Sequence, residues 1–359
     1  MLQKSGWDQS LARWRAFWAG SLLDRPPVLV HLVATEGLDV GQSASLESTL
    51  AHYDPLQNGP QIESAEISIL NKAAAIHDDL PPTMTAGGGV WFTGAVMGAP
   101  LVSTAEMLTC HPIISEWDAL TSIRYSPTNE WAQRALQLAH QLVDRSGGRY
   151  AVTPGLLEGP SDICANLRSP TRFACDLYEY PTEVRRLAEI AAEACLQHTR
   201  ALYDMIPLYD GGTVTQWSLW VPGRGVALQE DFCSIISPRL YREFFLSLDR
   251  ELADQADITW MHIHSGAIHL VDEVLTVEQI RGIQIVNDGV AGPPIAKVLP
   301  VMQRIQQRGK CLIVRKYAPR ELEQILPHLA PKGLAVDTYS TSISTANAWL
   351  EHLTPWPYG

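Results

Sequence analysis

The segment Trp260-Met-His-Ile-His-Ser-Gly266 is the sharpest chemical pattern in the chain. Residues i and i+2 of a strand point the same way. His262 and His264 can therefore aim at one point, as paired imidazole ligands of a metal ion do. Two hydrogen-bonded histidines in a polar pocket satisfy the same spacing. A zinc site needs a third protein ligand. By position that ligand is Asp337, at the last strand, with Glu158 and Asp288 as competitors. Cys311 opens its strand and so stands at the wrong end. Asp78 and Asp79 follow Ala73-Ala-Ala-Ile-His77 and could supply a general base or hold an amine. The competing reading is a solvated turn before Pro81-Pro82. Residues 221–232 read as a long loop carrying Arg224, Gln229, Glu230 and Asp231, suited to a substrate wall. Gly87-Gly-Gly89 lacks the Lys-Ser/Thr of a phosphate loop, and there is no GxSxG.

These groups need elements to position them. Trp7, Leu11, Trp14 and Trp18 recur at helical spacing over 7–19, and Arg25-Pro26-Pro27 ends that run. Strands are predicted at 28–33, near 74–77, and at 150–153, 213–219, 258–264, 283–286, 311–314 and 334–336. Helical patterns separate most of them, over 129–144, from Pro181 to about 205, after Ser237-Pro238, and over 268–275 and 295–307. Two more begin at Pro319 and near Thr345. Eight βα units in this length predict a (β/α)8 TIM-type barrel with an N-terminal helical elaboration. The alternative is an open doubly wound sheet. The whole chain, 1–359, reads as one domain, with 1–70 as the elaboration and first strand and 71–359 as the remaining barrel. Strand C-terminal ends of such a barrel carry its functional groups. By this reading they include His31 and Glu36, Asp78, Glu158, Gln216, His262 and His264, Asp288, Arg315, and Asp337 with Tyr339.

The chain's 359 residues carry 27 basic and 39 acidic side chains, a net charge of −12. That argues against nucleic acid and anionic lipid as partners. The uncharged stretch 80–105 holds five glycines and three prolines, which suits a loop rather than a membrane helix. Six cysteines at 110, 164, 175, 195, 233 and 311 form no CxxC pair and read as reduced thiols of a cytoplasmic protein.

Trp220-Val-Pro-Gly-Arg, Leu228-Gln-Glu-Asp-Phe232 and Ile236-Ser-Pro-Arg-Leu-Tyr-Arg-Glu-Phe-Phe245 together resemble the uroporphyrinogen decarboxylase superfamily. Gly159-Pro-Ser-Asp-Ile163 and Gly333-Leu-Ala-Val-Asp337 fit the same frame. The resemblance implies a (β/α)8 barrel and a homodimer. It covers two chemistries. Decarboxylases grip propionates with an arginine-rich loop after the first strand and need no cofactor. Here 28–36 has no arginine, and Glu36 opposes carboxylates. The other branch transfers methyl groups to or from a corrinoid, using zinc held by an HxC pair and a later cysteine. Here the pair is His262-x-His264, and the last strand offers Asp337 or Tyr339. The resemblance thus implies a metal-assisted methyltransferase, moving a methyl group between a small donor or thiol and a corrinoid on a separate protein. The alternatives are a decarboxylase-like lyase acting on an acidic small molecule, or a non-catalytic ligand-binding member. The assigned roles are zinc ligation by His262, His264 and Asp337, and catalysis by Asp78, Glu158, Asp288 and Tyr339. His31, Gln216, Arg224, Gln229 and Glu230 are assigned to the substrate.

Overall fold

The computed structural model describes residues 4–33, 59–88, 92–103, 108–155 and 158–358. Glu36 lies outside them. Twelve strands are present among them: β1 (Val28–Leu32), β2 (Thr83–Thr85), β3 (Leu101–Ser103), β4 (Leu108–Cys110), β5 (Ala151–Thr153), β6 (Gly212–Val214), β7 (Trp220–Pro222), β8 (Gly225–Gln229), β9 (Ile258–His264), β10 (Ile280–Val286), β11 (Cys311–Arg315) and β12 (Leu334–Ser340). Six form one curled parallel sheet, a half-barrel, in the order β1-β12-β11-β10-β9-β8. β2 and β5 form a separate parallel pair, and β3–β4 and β6–β7 are antiparallel pairs.

The predicted eight-stranded ladder does not close through the described hydrogen bonds. At the β1 edge two carboxylates take the place of a neighbouring strand. Asp79 Oδ2 accepts from Val28 N at 2.9 Å, and Asp78 Oδ2 accepts from Val30 N at 2.9 Å. An open edge is thereby satisfied without a strand beside it.

Side chains alternate across the sheet as the pleat requires. Val28, Val30, Val226, Leu228, Met261, Ile263, Leu312, Val314, Leu334 and Val336 join the larger core under the helical layer. Leu29, Ala227, Trp260, Ile313 and Ala335 face the other way. They meet Trp7, Leu11, Trp14, Phe17 and Trp18 of the first helix, Trp7–Trp18, which forms the apolar floor on the concave side. Gly282 belongs to this floor: a Cβ there would stand 3.0 Å from the Trp18 ring. Trp18 Nε1 and Trp14 Nε1 donate to the carbonyls of Trp220 and Asp79, so both indoles are satisfied as well as buried.

Three sequence expectations are corrected. Residues 74–77 are not a strand, because Ala73 to Ala75 finish the helix Gly59–Ala75, as alanine favours. Residues 213–219 leave the strand at Val214 and turn through Gln216–Ser218. Residues 221–232 are not a loop, since they contain β8, which pairs with β9 from Gly225–Ile258 to Gln229–His262. The helices Pro181–Met205 and Ile295–Gln307, and the Ser237 cap before Pro238–Phe244, lie where the sequence places them.

Candidate metal centre

One step beyond the apolar floor, the same face of the sheet turns polar. His31, Asp337, Arg315, Gln284, His262 and Gln229 each stand two residues past Leu29, Ala335, Ile313, Gly282, Trp260 and Ala227. The period of two puts all six on the concave side. Three neighbouring pairs touch. His262 Nδ1 donates to Gln284 Oε1 at 2.5 Å, Arg315 is ion-paired with Asp337, and His31 Nε2 stands 3.1 Å from Asp337 Oδ1.

His262 and His264 meet edge to face, with ring centroids 5.0 Å apart. Asp231 completes the group. One ligand atom from each of Asp231, His262 and His264 lies within 4.8 Å of the other two. Each has an outer partner. Gln284 engages His262 Nδ1, Asp288 engages His264 Nδ1, and Gln229 Nε2 donates to Asp231 Oδ2 at 2.5 Å. Occupied Nδ1 atoms leave both Nε2 atoms for the centre, with Asp231 Oδ1 3.6 Å from His264 Nε2. Such outer bonds orient and tune imidazole ligands. The Asp231 backbone is fixed too, because Asp162 accepts from Asp231 N at 3.0 Å and from Phe232 N at 2.6 Å. Two imidazoles and a carboxylate with an open side suit zinc and also accept other divalent ions.

Electrostatics separate the two histidines. Burial pushes His262 down to about 4. Burial also opposes charge on His264, but Asp231 and Asp288 outweigh it and raise this group to about 10. Asp288 is held down at about 2: burial works the other way, and His264, Gly266 N and Ser265 prevail. Glu158 is raised well above the carboxylate range, by burial first and then by Asp162 and Asp231, against the 2.9 Å bond from Asn166 Nδ2. Its neighbour Gly159 allows the approach. Gly159 N donates to Gln229 O at 2.8 Å, and a Cβ on Gly159 would stand 2.1 Å from that oxygen.

The other sequence-assigned residues are placed as follows. Asp337 lies in the polar layer, but Arg315 and His31 engage its carboxylate, and the acid grouped with the histidines is Asp231. Asp78 is used up by Lys4 and by Val30 N, so it braces β1. Arg224 sits at the opposite end of β8, where it donates to Ile206 O and lies over the Tyr203 ring. Glu230 turns to the far side of β8 and accepts from Ser161 N at 2.9 Å. Gln229 and His31 are in the polar layer, and Tyr339 pairs in register with His31. Gln216 opens the turn that carries Trp217, whose ring stacks on His262 at 4.2 Å. Gln284 and the ligand role of Asp231 escaped the sequence reading. The alternation that pairs 262 with 264 also pairs 229 with 231 once β8 is recognised.

No family model and no curated protein matches the chain. Among solved structures it is similar to a methyltransferase from Methanosarcina mazei, with a TM-score of 0.64 and 15% identity, over 95% of this chain and 97% of that one. The likeness is one of fold. Among the described residues, no helix is long and apolar enough to cross a membrane.

Proposed function

We propose that this chain is a methyltransferase-like enzyme in which His262, His264 and Asp231 hold zinc. It moves a methyl group between a small donor or thiol and a corrinoid on a separate protein. The observation that carries the reading is the Asp231–His262–His264 group, with an outer hydrogen bond on every member. The shared fold with a methyltransferase supports it. A full eight-stranded barrel with β2 and β5 among its staves, and a homodimer, belong to the same reading.

Zinc, when bound, supplies Lewis-acid polarisation of a methoxy oxygen or lowers the pKa of a thiol. The chain's own groups do the rest. Gln284 and Asp288 hold the imidazoles with Nε2 turned to the centre, and zinc binding would displace the proton that His264 otherwise keeps there. Glu158, buried and favoured in its protonated form, is the proton source for a departing oxygen. Trp217 covers one face of His262 and limits water there.

The test has two parts. Metal-stripped protein is titrated with zinc, alongside Asp231→Asn and the His262→Ala/His264→Ala double variant. Zinc-loaded protein is then mixed with cob(I)alamin and methoxylated or methylthiolated small molecules, following loss of the cob(I)alamin absorbance. Tight zinc binding in the wild type alone, with donor-dependent methylation, supports the reading. Wild-type affinity no better than that of the double variant overturns it.

A further inference from the structure

Arg315 is the largest charged side chain sealed inside the polar layer, and only one side of its fork is used. Nη1 pairs with Asp337. Nε and Nη2, the two nitrogens on its other edge, have no hydrogen-bond partner among the described residues. One strand away, Gln284 commits Oε1 to His262 and leaves Nε2 without a partner. A buried donor left without a partner is costly, and folded interiors keep few of them. These three lie in the layer that carries the histidines.

The Trp217 ring lies over the same group. It is 5.3 Å from the Arg315 guanidinium carbon while stacked on His262. Its backbone is held at φ 54°, and that of Ser218 at φ 60°. Neither is glycine, so both positions hold backbone strain. Strain of this kind gathers at ligand clamps and switch segments.

We propose that the Nε–Nη2 edge of Arg315, with Gln284 Nε2 on the neighbouring strand, seats a carboxylate of the substrate, and that Trp217 swings aside to admit it. The proposal rests on the methyltransferase reading of the same site. It narrows the small partner to an acid bearing its methyl group and its carboxylate on one molecule. Two parallel N–H bonds match two carboxylate oxygens in spacing and charge. Asp337 already neutralises part of the guanidinium, which favours a monoanion over phosphate.

The test titrates zinc-stripped and zinc-loaded protein with propanoate, benzoate, benzamide and inorganic phosphate, by calorimetry and tryptophan emission. It compares wild type with Arg315→Lys and Trp217→Phe. Lysine keeps a charge for Asp337 but lacks the fork, so folding is protected, and melting temperature verifies it. The proposal expects a carboxylate to bind the wild type and benzamide not to. Arg315→Lys should weaken that binding by roughly tenfold or more with zinc affinity unchanged, and Trp217→Phe should lose the emission change. Equal carboxylate affinity in wild type and Arg315→Lys overturns the subsite, as does binding of phosphate alone or of no anion. An emission change that persists in Trp217→Phe overturns the swinging indole. Carboxylate binding in a wild type that takes no zinc supports the subsite while removing the methyltransferase reading.

Discussion

Nε2 of His264 stands 3.6 Å from Oδ1 of Asp231. Asp288 holds the other ring nitrogen, so the imidazole is fixed from both sides. A side chain fixed this way needs little rearrangement to become a ligand. The partners, more than the two histidines alone, make this a candidate centre.

Substitution of the outer partner should separate the two acids considered as third ligand. Asp288→Asn is expected to weaken zinc binding about 10- to 100-fold, since outer-shell partners carry that much affinity. Asp337→Asn should leave zinc affinity within a factor of a few and lower the melting temperature, because it strands the Arg315 charge. Competition titrations against a chromophoric chelator measure the first effect. If Asp337→Asn loses zinc and Asp231→Asn does not, the ligand set is wrong.

Glu158→Gln keeps the shape and removes the proton. The methyl-transfer rate is expected to fall by about 10²- to 10⁴-fold, the usual contribution of a general acid. Zinc affinity and urea stability should stay near wild type, because burial already favours the uncharged form. Stopped-flow loss of cob(I)alamin absorbance reads this out, and an unchanged rate excludes the role.

Asp79 accepts from Arg25 at 2.5 Å, Arg13 at 3.0 Å and Val28 N at 2.9 Å, fully buried. Asp79→Asn leaves buried guanidinium charge uncompensated. The expected cost is about 3–5 kcal/mol in urea unfolding, with the helix Trp7–Trp18 loosening first. A loss below about 1 kcal/mol would mean that β1 is held by other contacts.

His198 is buried between the Phe92 and Tyr125 rings, and its contact with Tyr125 OH is 3.4 Å. Burial lowers it from 6.5 to about 4. Between those values the unfolded chain binds the extra proton, so this group's contribution to stability is full above 6.5 and is lost as pH falls toward 4. His198→Phe removes the titration and keeps the ring. Going from roughly pH 7 to roughly pH 5, wild type should lose about 2 kcal/mol more than the variant. Parallel losses would show that His198 is charged or exposed.

Much of the frame was legible in the sequence. Trp7, Leu11, Trp14 and Trp18 announced a helix with one buried face, and the Pro181 and Ser237-Pro238 starts fixed two more. His262 and His264 were readable because alternation needs only the two residues and a strand. Asp231 was not, because Pro222, Gly223 and Gly225 made the segment look like a loop, and without β8 there is no parity to assign. Asp337 was favoured by its place at the last strand, but proximity in a sheet depends on which neighbour claims the charge first. Arg315, next door in register, does so.

The aromatic floor has a consequence for how the molecule assembles. The helix Trp7–Trp18 precedes every strand it seals. It is tied to residues far along the chain, through Arg281 Nε to Trp18 O and Cys311 Sγ to Phe17 O. Contacts that span more than 260 residues form late, since the intervening chain must first be ordered. Until β9 to β12 exist, Trp7, Trp14, Phe17 and Trp18 have no seat and present a sticky stripe to other chains. The part of the chain that closes the floor therefore waits longest for its place, and during that wait the protein is most prone to aggregate.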